Sequence, residues 1–307
     1  MNKDKYCGVF PAFYACYDKN GEIACDTVEK LTEHYIGKGV KGLYVGGSSG
    51  ECIYQSVEER KRVLESVMRV AKGRITVIAH VACNNTRDSM ALAAHAESLG
   101  VDAIASIPPI YFKLPDHAIA AYWNAISSAA PNTDFIIYNI PGLAGVALTP
   151  KLFKEMLKNP RVIGVKNSTM VSLDIWSFKK AGEECGKDVV VFNGPDEQFA
   201  CGRLIGADGG IGGTYGVMPE LFLALDRFVR TGDNEKATAL QAAINEIIVS
   251  LYSGKGNLYA TIKEVLLRRE GIDLGGVREP LPNLEACDMP LVEQAIAQID
   301  AAMALYV

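Results

Sequence analysis

The residue of this sequence whose type and setting most invite chemistry is Lys166, which closes the apolar run Val162-Ile163-Gly164-Val165-Lys166. An ammonium group at the end of a buried strand is costly unless it is paired or used. Held out of water, a lysine shifts toward the neutral amine, which attacks a carbonyl carbon and yields a protonated imine. That imine draws electrons from the adjacent carbon–carbon bond, so the bond can be made or broken without a metal or organic cofactor. The plain alternative is a strand-end lysine reaching solvent.

Other stretches carry groups suited to work beside such an amine. In Gly46-Gly47-Ser48-Ser49-Gly50-Glu51 the glycines let backbone N–H groups approach an anion, and Ser48 and Ser49 add hydroxyl donors for a carboxylate. The same residues also read as an ordinary Gly/Ser turn. Tyr138, in Ile136-Ile137-Tyr138-Asn139-Ile140-Pro141-Gly142, puts a phenol at a strand end, although a buried tyrosine is usually packing plus one hydrogen bond. In Asn193-Gly194-Pro195-Asp196-Glu197 two carboxylates could hold sugar hydroxyls, while Asp196 reads most simply as a helix cap. The glycines of Gly206-Ala207-Asp208-Gly209-Gly210-Ile211-Gly212-Gly213-Thr214 permit close backbone approach to a ligand. Each feature alone has a structural explanation; their recurrence at successive strand ends points to a site.

The elements that would position these groups recur about every twenty-five to thirty residues, as short β-rich runs each followed by a stretch of helical period. Eight strands are expected: Gly8 to Ala12, Gly42 to Gly46, Ile75 to Val81, Ala103 to Ile107, Phe135 to Ile140, Val162 to Lys166, Val189 to Asn193 and Gly209 to Gly212. Strict alternation with helices, and no Gly-x-Gly-x-x-Gly turn after the first strand, favour a closed (β/α)8 TIM barrel over an open sheet. In such a barrel the site lies at the carboxyl ends of the strands. Ser56-Val57-Glu58-Glu59 reads as a capping box, and Thr86 as a possible cap of the next helix. After Val217 the β signal stops, and helical segments follow at about 234–252, 257–270 and 289–305. The division expected is a barrel over 1–232 and a three-helix C-terminal extension over 233–307, whose apolar faces pack on the barrel or on a neighbouring subunit.

The 307 residues are 49% hydrophobic and 22% charged, enough apolar material for a large core. A net charge of -5 without a basic cluster argues against nucleic acid and anionic membranes as partners. Met1 to Lys5 is polar and no run of eighteen apolar residues occurs, so a cytoplasmic location is expected. The eight cysteines show no C-x-x-C pair and no matching histidine spacing, which speaks against zinc and against a disulfide framework. Reduced, mostly buried thiols are expected, and Asn84-Asn85-Thr86 is then a chance glycosylation match.

Taken in order, Gly46-Gly47-Ser48-Ser49-Gly50-Glu51, Tyr138-Asn139-Ile140-Pro141, Gly164-Val165-Lys166 and Gly206-Ala207-Asp208-Gly209-Gly210-Ile211-Gly212 resemble the family of N-acetylneuraminate lyase and dihydrodipicolinate synthase, pyruvate-dependent class I aldolases. The resemblance covers essentially the whole chain. It implies a homotetramer in which Lys166 forms the Schiff base, Tyr138 transfers protons, Ser48 and Ser49 grip the carboxylate of pyruvate, and Ser49 helps relay the proton. Gly47, Gly212, Gly213 and Ser168 would line the ligand. Tyr111, in Pro108-Pro109-Ile110-Tyr111-Phe112, matches an aromatic that this family presents across a subunit interface.

Within the family, synthases usually carry an arginine two residues after the proline of the fifth strand end, a bidentate fork for a second carboxylate. Leu143 stands there instead, and Tyr138 to Gly145 resembles the sialic acid lyases. Gly194-x-Asp196-Glu197 is similar to the segment by which those lyases hold the polyol tail, and Tyr259 falls near the sugar. Pro195, Gly213 and Asn167-Ser168 depart from their pattern. The expected activity is therefore cleavage of N-acetylneuraminate, or a related 2-oxo sugar acid, to pyruvate and an amino sugar, without cofactor or metal. The alternatives are dihydrodipicolinate synthase, a 2-keto-3-deoxy sugar acid aldolase or dehydratase, and, from another class, an inactive barrel that only binds a sugar acid.

Overall fold

The computed structural model describes residues 2–307. Eight parallel strands run β1 Gly8–Pro11, β2 Gly42–Val45, β3 Thr76–His80, β4 Ala103–Ser106, β5 Asp134–Asn139, β6 Val162–Asn167, β7 Val190–Asn193 and β8 Gly209–Gly212. They pair in sequence order from β2 to β8, and β8 returns to β1. The remaining seam closes through Lys41 N–H to Val9 C=O at 3.0 Å and Phe13 N–H to Tyr44 C=O at 2.9 Å. The expected strand boundaries shift by a residue or two; β6 runs one residue past Lys166.

The helices are α1 Cys25–Lys38, α2 Val57–Ala71, α3 Thr86–Leu99, α4 Asp116–Ala129, α5 Pro141–Ala144, α6 Pro150–Met156, α7 Leu173–Glu184, α8 Phe199–Leu204, α9 Pro219–Thr231, α10 Asn234–Tyr252, α11 Leu258–Glu270 and α12 Met289–Tyr306. Ser56 and Glu59 form the expected capping box on α2, each side chain taking the other's backbone N–H, an arrangement worth about 1 kcal/mol. The next helix is capped differently from the expectation. Asn85, not Thr86, accepts the N–H of Asp88 at 2.8 Å, because Thr86 is already the first helical residue.

Two apolar layers hold the barrel. Inside it, Tyr6, Phe10, Ile78, Ala105, Ile136 and Phe192 fill the lumen, with Phe192 edge-on to Phe10 and Tyr6. A second layer lies between the strands and the helices. The filled lumen makes the barrel a packed core, so chemistry is confined to its rim.

After the barrel, α10 packs on α9 and α12, and α11 packs on α12. Leu240, Ile244, Ile247 and Leu251 form the buried stripe of α10 at helical spacing. A fully buried ion pair ties this region to the β2 loop: Lys263 Nζ meets Glu51 Oε1 at 2.8 Å and the C=O of Gly276 at 2.7 Å. Arg278 N–H donates to the other Glu51 oxygen at 2.9 Å.

All eight cysteines are free, but the expectation that most are buried is overturned: only Cys16 is, and Cys185, Cys201 and Cys287 are exposed. Cys185 caps the end of α7, Cys201 lies on the exposed side of the short helix α8 and Cys287 sits in a 3-10 turn. Among the described residues no cluster of three metal-binding side chains occurs, and no helix is long and apolar enough to cross a membrane.

Candidate active site

Register decides what faces the barrel mouth. Tyr138 of β5 lies directly beside Lys166 of β6, and in a parallel sheet such partners point to the same face. Both turn inward. Lys166 is 5% exposed, and its Nζ meets two aromatic faces, 4.0 Å from the centroid of Tyr138 and 4.4 Å from that of Tyr44.

One residue further along, Asn139, Asn167 and Asn193 are register partners on the opposite face. Asn139 Nδ2 donates to Asn167 Oδ1 at 2.8 Å and Asn139 Oδ1 accepts the N–H of Leu148 at 2.9 Å. Asn167 Nδ2 donates to Thr169 Oγ1 at 3.0 Å, and Asn193 Nδ2 to the C=O of Pro195 at 2.7 Å. These amides lock the strand ends that present Tyr138 and Lys166.

The turn after β2 supplies the hydroxyls. Gly46 takes φ 76°, a left-handed conformation that suits glycine, and a 3-10 turn over Ser48–Gly50 follows. Ser48 is exposed and Ser49 is buried. Ser49 Oγ donates to the phenol oxygen of Tyr259 at 3.1 Å, and Tyr259 lies in the first turn of α11. Burial pushes the Tyr259 phenol above its usual range, although the Ser49 bond pulls the other way.

Asp196 does not cap a helix through its side chain, as its sequence position suggested. Its Oδ2 accepts both the N–H and the hydroxyl of Thr214, each at 2.6 Å. Burial pushes its carboxyl up to about 6 despite those two donors. Gly212 leaves room for this carboxylate, since a Cβ there would sit 2.2 Å from Asp196 Oδ1 and 2.1 Å from the Tyr215 ring. Gly194 similarly lets two loops touch, because its Cβ would lie 2.0 Å from Ser168 Oγ.

A cavity of about 250 Å³ joins these groups; Lys166, Tyr138, Ser48, Ser49, Leu143, Ser168, Gly194, Asp196, Glu197, Gly213 and Tyr259 all line it. Three expected site residues do not. Gly47 makes room for the Tyr44 ring, 2.7 Å from where its Cβ would be, and Gly212 makes room for Asp196. Tyr111 lies outside the cavity, 89% exposed at φ 82°. It lines a separate depression with Asn84, Ile110 and Phe112. A larger open depression of about 930 Å³ lies at the opposite end of the barrel, among Lys5, Lys41, Lys72 and Arg74, remote from Lys166.

Tyr44, Thr214 and Tyr252, for which the sequence suggests no role of their own, also line the cavity. Tyr44 lies within the apolar strand β2, and only its alternation with Gly42 marks it as inward-facing. Tyr252 sits at the end of α10, and no local pattern marks a residue brought in from so far along the chain.

A barrel that turns a buried strand-end lysine toward phenols, hydroxyls and carboxylates defines a carbon–carbon lyase by class. Residues 5–299 match the dihydrodipicolinate synthetase family, and the chain belongs to it. It is 63% identical to the N-acetylneuraminate lyase of Mediterraneibacter gnavus, over 97% of this chain and 94% of that one. The N-acetylneuraminate lyase of Salmonella agona is 35% identical, over 95% and 96%. Among solved structures, wild-type sialic acid aldolase of Ruminococcus gnavus superposes with a TM-score of 0.97 at 62% identity, covering 99% of this chain and 100% of that one. The dihydrodipicolinate synthase DapA-2 of Bacillus anthracis, 24% identical with a TM-score of 0.86 over 95% and 98% of the chains, shares the fold.

Proposed function

We propose that this protein cleaves N-acetylneuraminate, or a closely related 2-oxo sugar acid, to pyruvate and N-acetylmannosamine through a Schiff base on Lys166. The observation that carries this reading is Lys166 Nζ, buried beside Tyr138 and opening into the one cavity that also holds Ser48, Ser49 and the Asp196-Glu197 pair. The similarity to lyases of sialic acid supports the choice of substrate.

The amine attacks C2 of the open-chain sugar acid, water leaves, and the iminium draws electrons from C3–C4. Tyr138 takes the C4 hydroxyl proton with help from the bound carboxylate, which Ser48 and Ser49 hold; Ser49, positioned by its hydrogen bond to Tyr259, helps relay the proton. The C3–C4 bond breaks to an enamine, which is protonated and hydrolysed to pyruvate. Asp196 and Glu197 accept the polyol hydroxyls. Leu143 at the cavity wall cannot bind a second carboxylate as an arginine would, which disfavours the synthase reading.

The same reading includes a cytoplasmic homotetramer in which Tyr111 reaches a neighbour's site, and a barrel over 1–232 followed by the extension over 233–307. Borohydride reduction in the presence of pyruvate, read by intact mass, tests the chemistry. Wild-type protein should gain one pyruvyl adduct and Lys166→Ala none. Adduct formation unchanged in Lys166→Ala, or efficient turnover of aspartate semialdehyde with pyruvate in place of sialic acid, would overturn it.

A further inference from the structure

We propose that Tyr44 is a catalytic residue: its ring face and that of Tyr138 wall a cage that holds the positive charge of the iminium nitrogen. The inference rests on the Schiff-base reading above and adds a residue to it.

The geometry places the reacting nitrogen against two ring faces. Lys166 Nζ lies 4.4 Å from the Tyr44 centroid and 4.0 Å from that of Tyr138, while the two rings stand at 79° with centroids 5.7 Å apart. An aromatic face carries negative charge and attracts a cation within about 6 Å, most strongly when both are out of water. Tyr44 is fully buried and Lys166 nearly so.

The reaction gives that face a purpose. Neutral amine, ketone and one proton become iminium and water: the C2–N bond forms, the C2–O bond breaks, and the oxygen departs as water. What appears at the nitrogen is a positive charge that neutral amine and ketone lack. A surface that binds the charged species more firmly than the neutral ones favours the covalent complex.

The surroundings hold the ring where it is. A Cβ on Gly47 would lie 2.7 Å from Tyr44 Cε1, so the glycine of the serine turn exists to admit this ring. His80 packs against both tyrosines, with centroids 6.1 and 6.0 Å away, and its Nδ1 is 2.9 Å from the Gly46 C=O. Burial, with Arg60 nearby, pushes that imidazole down to about 3, so it stays neutral and brings no second cation to the cage. The Tyr44 hydroxyl has no hydrogen-bond partner among the described residues. Its face is therefore what the site uses.

The test is the pyruvate concentration that gives half-maximal borohydride trapping, measured by intact mass on the full chain. Tyr44→Phe, which keeps the face, should stay within about threefold of wild type, while Tyr44→Leu should need about ten to thirty times more pyruvate, the worth of a desolvated cation–π contact. Because Leu could disturb the fold, phenylalanines carrying one, two and three ring fluorines at position 44 provide a second series of nearly constant shape. Half-saturation should rise with each fluorine as the face loses negative charge. A Leu variant that traps like wild type, a Phe variant as impaired as Leu, or a flat fluorine series would overturn the cage. If wild-type protein traps no pyruvate, the Schiff-base reading itself falls; trapping with a flat series removes Tyr44 alone.

Discussion

Ser49 and Tyr259, 210 positions apart in the chain, are joined by a hydrogen bond of 3.1 Å from the serine hydroxyl to the phenol. The bond links the turn after β2 to the first turn of α11, so the helical extension completes the site. Tyr259→Phe removes the acceptor while keeping the ring. A net hydrogen bond contributes about 0.5–1.5 kcal/mol, so pyruvate release should fall roughly threefold to tenfold in kcat/KM. Ser49→Ala, which in the proposed mechanism removes a proton-relay group as well, should cost about a hundredfold or more, mostly in kcat.

Glu51 and Lys263 form a buried pair that anchors α11 four residues beyond Tyr259, on the same helix face. Removing one partner leaves an uncompensated buried charge, so Glu51→Ala or Lys263→Ala should each lower stability by about 3–5 kcal/mol in urea unfolding. The double replacement Glu51→Leu with Lys263→Met should recover much of that loss, because neither charge then remains to be desolvated. A double variant as unstable as the sum of the singles would show that the pair acts through something other than charge.

Asp196 should make stability fall as pH rises. Its folded carboxyl titrates near 6, raised by burial, against 3.8 for the free group. The folded chain therefore holds this proton more tightly, and the benefit, full below about pH 4, is lost as pH climbs through about 6; linkage sets its size near 3 kcal/mol. Urea midpoints of wild type and Asp196→Asn across this window should diverge with that sign. The Asn variant should also bind the sugar acid more weakly above pH 6, where the native carboxylate is charged and accepts hydroxyls.

Tyr111 holds a left-handed backbone, φ 82°, while its ring stands almost wholly in solvent. Tyr111→Gly should relieve about 1 kcal/mol of backbone strain in the folded chain, partly offset by the freedom glycine adds to the unfolded one. If the ring serves a neighbour's site, the same variant should lose activity without losing stability. Thermal unfolding and pyruvate release, measured on one preparation, separate the two effects; retained activity would remove Tyr111 from the mechanism.

Gly47→Ala should be poorly tolerated although position 47 touches no ligand cavity. The new methyl meets the Tyr44 ring, and forcing extra volume into a packed site costs about 1–3 kcal/mol. Loss of pyruvate trapping together with a modest fall in melting temperature is the expected result.

Periodicity and strand-end chemistry were enough to read the barrel and most of its mouth from the chain alone. The eight strands announce themselves because each must be apolar to be buried on both faces, and Lys166 is conspicuous because a charge is out of place there. Tyr138, the serine turn and Asp196-Glu197 follow, since in this architecture strand ends share one rim. Other matters belonged to the tertiary structure. Asp196 turned from a helix cap into an acceptor for Thr214 because the β8 loop folds over it. Tyr44 joined Lys166 because the lumen is narrow enough for side chains of β2 and β6 to meet across it. Tyr252 entered, and Tyr259 met Ser49, because α10 and α11 fold back over the mouth, an outcome fixed by packing and the Glu51–Lys263 pair. Local sequence sets which residues want to be strand, helix or buried; which of them touch across the barrel depends on distances that no short stretch encodes.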